Sequence, residues 1–189
     1  MAFDFLSSNT VGSGGAASVS ITGIPATYSA LRLIYETQGG TTGALEDLVL
    51  QIGFNGLSSY GATTNAWAKY RMQLDGYQNG GGVAILNYKR GSGAGATDVY
   101  GDLCMTWGTN YTSSYKTCGY VDIYEYANTN NCTIVNSHYT QALNGSQYYA
   151  NTGMFGNVWD VAAAITSVQL RFNSGNIPEH STFELYGVE

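Results

Sequence analysis

Apolar and polar residues alternate strictly along most of this chain, a period that predicts strands rather than helices. Val19 and Ile21 alternate with Ser18, Ser20 and Thr22, and Leu31, Leu33 and Tyr35 alternate with Arg32 and Glu36. Leu48, Leu50, Ile52 and Phe54 alternate with Val49, Gln51 and Gly53 to give the cleanest strand of the N-terminal half. The same grammar returns in Tyr70, Met72 and Leu74, and in residues 83–88, 100–107, 117–126 and 132–139. Near the end, Val168, Leu170 and Phe172 alternate with Gln169, Arg171 and Asn173. A turn-rich stretch (SGNIPEH) follows, and Phe183, Leu185 and Gly187 mark a second strand. Residues 164–189 are therefore predicted to form a hairpin that organises the fold and ends the chain inside a sheet.

Turn formers separate the strands. Pro25 fixes φ and lacks a ladder donor, GGTTGA at 39–44 and KRGSGAGAT at 89–97 read as loops, and NGGG at 79–82 reads as a turn. Asn55-Gly56 is a tight-turn signal, and ANTN at 127–130 is expected to close a hairpin into residues 132–139. In residues 143–156, Tyr148, Tyr149 and Phe155 mark a strand near the end, and WDVAAAI at 159–165 reads as one helical turn. About ten strands at this spacing predict an all-β fold, an antiparallel, jelly-roll-like β-sandwich. Residues 17–189 form its single domain. Residues 1–16 read as an extended N-terminal arm or short strand with a flexible Ser/Gly connection. Phe3, Phe5 and Leu6 on that arm are candidates for contact with a partner.

Composition narrows the function. Only 11% of residues are charged, against about 25% in an average soluble domain; 25 Gly and 16 Tyr contribute to the difference. Low charge suits a chain packed against other chains, where charges are costly to desolvate. The net charge is −6 and the seven basic residues are scattered, so there is no stripe to neutralise phosphates and no nucleic-acid partner is expected. No apolar run reaches the length of a membrane span. MAFDFLSSNT has no positive n-region, so no signal peptide is expected. Cys104, Cys118 and Cys132 are odd in number. A hairpin centred near Tyr111 would set Cys104 opposite Cys118, but buried free thiols are the preferred reading.

Little in the sequence suggests catalysis. His138 and His180 are the two histidines, and neither a nucleophile elbow, an H-E-x-x-H nor a P-loop occurs. Asp122 and Glu125 stand at an odd offset on one predicted strand and so face opposite ways. Glu46 and Asp47 read as turn caps, and Asp98 and Asp102 as solvated charges. Cys132 and His138 lack a second cysteine pair for zinc, and no loop has calcium spacing, so neither a metal nor another cofactor is expected. The tyrosines carry more information. Tyr120, Tyr124 and Tyr126 are predicted to share a face with Asp122, and Tyr148 and Tyr149 lie beside loop residues. Tyrosines placed so serve a core, a subunit interface or a glycan contact, and Tyr148 and Tyr149 join the partner-binding candidates. The sequons at Asn110, Asn131 and Asn144 read as chance in an Asn/Ser/Thr-rich chain.

Four segments in order, IPATYSALRL (24–33), VDIYEYANTNNCTIV (121–135), WDVAAAITSVQL (159–170) and residues 172–188, resemble small structural proteins of tailed bacteriophages. The likeness runs from about residue 19 to the end and rests on packing and turn motifs, so no functional residue carries over. It implies a non-enzymatic virion protein, most readily a capsid decoration (cement) protein that binds the major capsid protein and copies of itself. Such a protein is expected on the capsid exterior as a homotrimer at local three-fold positions, gripping capsomers with an arm such as residues 1–16. The alternative is a receptor- or glycan-binding module of a tail or head fibre, recognising a host surface glycan. The loops at 80–97 and 143–156 depart from the resemblance.

Overall fold

A computed structural model describes residues 2–38, 48–56, 67–77, 84–88, 100–106, 116–142 and 149–189, with backbone alone at 67–77, 84–88, 142 and 149–151. Twelve strands lie among the described residues: β1 (Phe3–Thr10), β2 (Val19–Thr22), β3 (Ala30–Gln38), β4 (Leu48–Phe54), β5 (Trp67–Tyr77), β6 (Ala84–Tyr88), β7 (Gly101–Thr106), β8 (Lys116–Tyr124), β9 (Thr133–Ala142), β10 (Tyr149–Trp159), β11 (Ser167–Phe172) and β12 (Thr182–Val188). They form two antiparallel sheets, of order β1-β12-β3-β8-β9-β10-β5-β6 and β2-β11-β4-β7. Four pairs nest within one another along the chain, β1 with β12, β2 with β11, β3 with β8 and β4 with β7. The β5–β6 and β9–β10 hairpins widen the larger sheet. The all-β fold in two antiparallel sheets is as the alternation predicts, and no described residue is helical.

Inward positions of the two sheets make one core. Leu31, Leu33, Val121, Ile123, Val135, Phe183 and Leu185 come from the large sheet, and Ile21, Leu50, Ile52, Val168, Leu170 and Phe172 from the small one. The Trp159 and Phe54 rings meet edge to face between the sheets, with centroids 5.2 Å apart. Part of the interlayer is polar for a definite reason. Strand β7 is an edge of the small sheet and leaves backbone groups unpaired, which burial would penalise. Side chains of the large sheet supply the partners. Asn157 accepts from the Asp102 N–H at 3.2 Å and donates to the Asp102 carbonyl at 2.8 Å. The Ser137 hydroxyl donates to the carbonyl of Leu103, the residue at the β4–β7 bulge.

Several sequence expectations are corrected. Residues 164–189 are not a hairpin: β11 pairs with β2 and β4 in the small sheet, whereas β12 pairs with β1 and β3 in the large one. Residues 173–181 instead arch from one sheet to the other, which alternation alone cannot distinguish from a hairpin. Residues 160–166 form no helical turn, and Trp159 ends β10. Strands β7 and β8 likewise belong to different sheets, so Cys104 lies buried in the core while Cys118 is exposed on the opposite side of the large sheet, and all three cysteines are free. Burial pushes the Cys104 thiol up to about 12. Residues 2–16 do not form a free arm: an extended strand is followed by a turn at 13–14. β1 pairs with β12 along its length, Val11 is buried and exchanges backbone bonds with His180 and Ser181, and Ala16 bridges Ile177. The loops expected at 39–44, 79–82 and 89–97, Tyr148, and the Asn110 and Asn144 sequons lie outside the described residues.

The segments singled out by their resemblance lock the layers together. Tyr126 is fully buried; its hydroxyl accepts from the Tyr28 N–H at 3.1 Å and donates to the Pro25 carbonyl at 2.7 Å. Asn55 takes φ of 56° and Gly56 of 65°, both left-handed, but the turn joins different sheets rather than closing a hairpin. The Asn55 side chain clamps the AITS segment instead. Its Oδ1 accepts from the Thr166 N–H at 2.8 Å and its Nδ2 donates to the Ala164 carbonyl at 2.9 Å. Asn55→Ala should therefore lower stability by about 2–3 kcal/mol, through lost bonds and left-handed strain. Asn55→Gly, which accepts the backbone angle, should recover about 1 kcal/mol of this in chemical denaturation.

Candidate functional site: the outer face of the large sheet

The two sheets present very different surfaces. On the outside of the small sheet, polar side chains contact one another: the Tyr100 hydroxyl donates to Gln169 at 2.8 Å, and the Arg171 guanidinium stacks 3.8 Å from the Tyr100 ring centroid. On the large sheet, strand alternation turns Leu31, Leu33 and Tyr35 of β3 inward, so Arg32, Ile34 and Glu36 face out. Register then aligns outward residues in rows. One row runs Phe5, Tyr186, Arg32, Asp122 and Asn136, and the next runs Glu184, Ile34, Tyr120, His138 and Met154. Among the described residues, every large hydrophobic that is exposed lies on this face: Phe3, Phe5, Ile34, Tyr124, Ile134 and Met154.

A bidentate ion pair sits in the middle. Arg32 Nε and Nη2 donate to Asp122 Oδ1 and Oδ2 at 2.6 and 2.8 Å, with the Asp122 side chain only 12% exposed. The Asp122 carboxylate holds the Arg32 guanidinium above its ordinary pKa, so the charge is permanent and internally neutralised. Arg32 is flanked by aromatic rings, 5.2 Å from the Phe3 centroid and 4.6 Å from that of Tyr120. Tyr120 stacks in turn on His138 at 4.9 Å with planes 17° apart. This gives a ladder, Phe3–Arg32–Tyr120–His138, spanning strands β1 to β9. Phe5 meets Tyr186 edge to face at 5.7 Å. The Tyr186 hydroxyl donates to Glu184 at 2.7 Å, and this carboxylate raises the tyrosine's pKa. Lys116 pairs with Glu36. Beside His138 a shallow groove of about 410 Å³ is lined by Cys118, Tyr120, Thr140, Thr152 and Met154, among others.

The predicted partner residues separate. Phe3 and Phe5 are both presented on the outer face, at 44% and 59% exposure. Leu6 takes the unpaired position of a bulge between Phe5 and Ser7 and packs on the core, so it is not presented. Tyr149 begins β10, its backbone opposite Tyr77, and its side chain lies outside the described residues, as does all of Tyr148. Tyr120 and Tyr124 share the outer face with Asp122 as expected, but Tyr126 does not. Glu125 adopts φ of 59° past the end of β8, which breaks the alternation and turns Tyr126 into the core. Ile34, Ile134 and Met154 are not singled out by the sequence, and His138 is weighed there for catalysis and zinc, not as part of a contact face. The available cue was apolar residues at both parities of one strand, as in Leu33-Ile34, which marks a strand covered on both faces.

His138 stands in the aromatic ladder, and His180 lies in the turn before β12 with φ of 66°. No group of three or more His, Cys, Asp or Glu among the described residues is placed to hold a metal, and no described helix is long and apolar enough to cross a membrane. What the arrangement offers chemically is recognition: a broad apolar and aromatic surface whose arginine and lysine are paired, with Glu184 held by the Tyr186 hydroxyl. Compared with protein-family models, with curated proteins and with solved structures, the chain matches none.

Proposed function

We propose that this chain is a non-enzymatic structural protein of a bacteriophage virion, a capsid decoration protein that binds the major capsid protein lattice on the particle exterior. The observation carrying the reading is the outer face of the large sheet. Its exposed Phe, Tyr, Ile and Met residues around a neutralised arginine have the composition of protein interface cores, which are rich in aromatics, Met and Arg and poor in unpaired charge. Grouped apolar exposure of this kind marks contact surfaces, whereas singly scattered hydrophobics do not. The phage resemblance of residues 19–189 supplies the setting. The nested pairing of early with late strands supports a jelly-roll reading of the sandwich, an architecture used in viral capsid proteins.

The N-terminal segment does not serve as a free arm in this reading, because β1 is a strand of the sheet. It contributes Phe3 and Phe5 to the face, together with an open strand edge. In purified particles, the chain should appear at a stoichiometry comparable to that of the major capsid protein when gel bands are quantified. A few copies per particle would sink the decoration reading. It would favour a fibre-borne glycan-binding module instead, with the groove beside His138 as its site. There an aromatic edge and the Thr140 and Thr152 hydroxyls lie together, as sugar recognition requires.

A further inference from the structure

We infer that the outer face of the large sheet packs against the same face of a second copy of the chain, about a two-fold axis running along the strands between β3 and β8. The inference rests on reading this face as a protein contact surface and gives its occupant as a second copy, which leaves the capsid lattice to be met by other surfaces of the chain.

Charge decides against an oppositely charged partner. The chain carries a net charge of −6, so two copies repel unless they meet through a surface that adds no like charges. On this face Arg32 is paired with Asp122 and Lys116 with Glu36, while Glu184, at one end, accepts from the Tyr186 hydroxyl and has no cation beside it among the described residues. Its approach to another copy therefore sets few unpaired charges against each other, and it offers little to a polyanion or a strongly basic surface.

The ends of the face are also complementary to each other. The β1–β12 end is aromatic, with Phe5 and Tyr186, while the β9–β10 end carries Ile134 and Met154. The proposed axis lays each end over the other and keeps level along the strands, so Ile34 of one copy meets Tyr120 of its partner across the axis, an aliphatic–aromatic contact. An isologous contact needs this self-complementarity.

Area is sufficient. The face spans strands β1, β12, β3, β8, β9 and β10. At ~4.8 Å between strands and about seven residues of ~3.3 Å each, it measures roughly 650 Å² per copy. Two copies would bury roughly 1,300 Å², inside the ~1,200–2,000 Å² range of specific stable interfaces.

Sedimentation equilibrium of the purified chain over a range of concentrations tests this. A species of 40.4 kDa, twice the 20.2 kDa chain, is expected. Ile34→Lys and Ile134→Lys should each weaken its self-association at least about 100-fold, since every substitution enters a two-fold interface twice and buries an ammonium. Ser20→Lys, exposed on the small sheet, should leave it unchanged. If the lysine variants lose their melting transition, the unaltered chain decides: Cys118, exposed near the proposed axis, should be joined to its counterpart by a short bismaleimide. A chain that stays monomeric throughout, a dimer that survives both folded lysine variants, or a dimer that the reagent cannot link through Cys118 overturns the inference. A monomer that nevertheless coats particles would overturn the pairing and leave the decoration reading standing; a dimer absent from particles would do the reverse.

Discussion

Replacing Trp159 with alanine is expected to lower the free energy of unfolding by about 4 kcal/mol, within the range for truncating a buried large aromatic. Trp159 is 1% exposed and ends β10, where its ring meets Phe54 of the other sheet. The truncation therefore removes apolar area and opens a void at a junction of two layers, where neither backbone can move in without breaking its own ladder. In a chain of this length the melting temperature should fall by about 8–16 °C. Met154→Ala, on the outer face at 40% exposure, should change stability by no more than about 0.5 kcal/mol. Thermal melts of the two variants side by side check both figures. If Trp159→Ala melts with Met154→Ala, the interlayer packing described above is wrong. The contrast also separates the core from the contact face: residues of similar apolarity, one essential to folding and the other free to serve a partner.

Much of the fold was legible because period-2 alternation is a local property. Val19 and Ile21, Leu50 and Ile52, and Phe183 and Leu185 each show which side of their strand is buried, and all six are in the core. Pairing is not local, and there the sequence misleads. The stretch between Phe172 and Phe183 reads as a hairpin turn, yet it arches between sheets because β2 and β4 take both edges of β11. The same ambiguity leaves a hairpin with Cys104 opposite Cys118 conceivable, although they lie in separate layers. Tyr126 was assigned to the wrong side because one positive φ at Glu125 resets the alternation, and a glutamate gives no warning of that.

The contact face was only partly legible for a different reason. Phe3 and Phe5 stood out because the first strand has few other apolar residues. Ile34, Ile134 and Met154 did not, since a strand rich in hydrophobics reads equally well as core on either parity. Only the register, which sets Ile34 beside Tyr120 and Tyr120 beside His138, shows that they form one surface. The polar residues Ser137 and Asn157 were passed over too. They lie inward to serve the unpaired edge of β7, a need that exists only once the two sheets are stacked.

The second large effect is expected at Gly119, where alanine should cost about 3 kcal/mol, near the upper end for overpacking a tight interior. Gly119 lies in an inward row with Tyr35, Tyr139 and Gly153, so large and absent side chains alternate across four strands. The tyrosine rings lean over the glycines and fill the space a Cβ would occupy. A Cβ at Gly119 would stand 2.5 Å from the Tyr35 hydroxyl oxygen and nearer still to the His138 carbonyl, which is backbone of the paired strand. The hydroxyl can be removed, but the Tyr35 Cζ, 2.7 Å from the same point, stays, and the carbonyl cannot retreat without opening the β8–β9 ladder. Tyr35→Phe combined with Gly119→Ala should therefore recover about 1 kcal/mol relative to the sum of the single changes, with most of the loss remaining. A double-mutant cycle by chemical denaturation measures the coupling. Full recovery would locate the whole conflict at the hydroxyl, and no recovery would mean that Tyr35 does not cover Gly119. The partial value follows because three atoms crowd the missing Cβ and the substitution at Tyr35 removes only one of them.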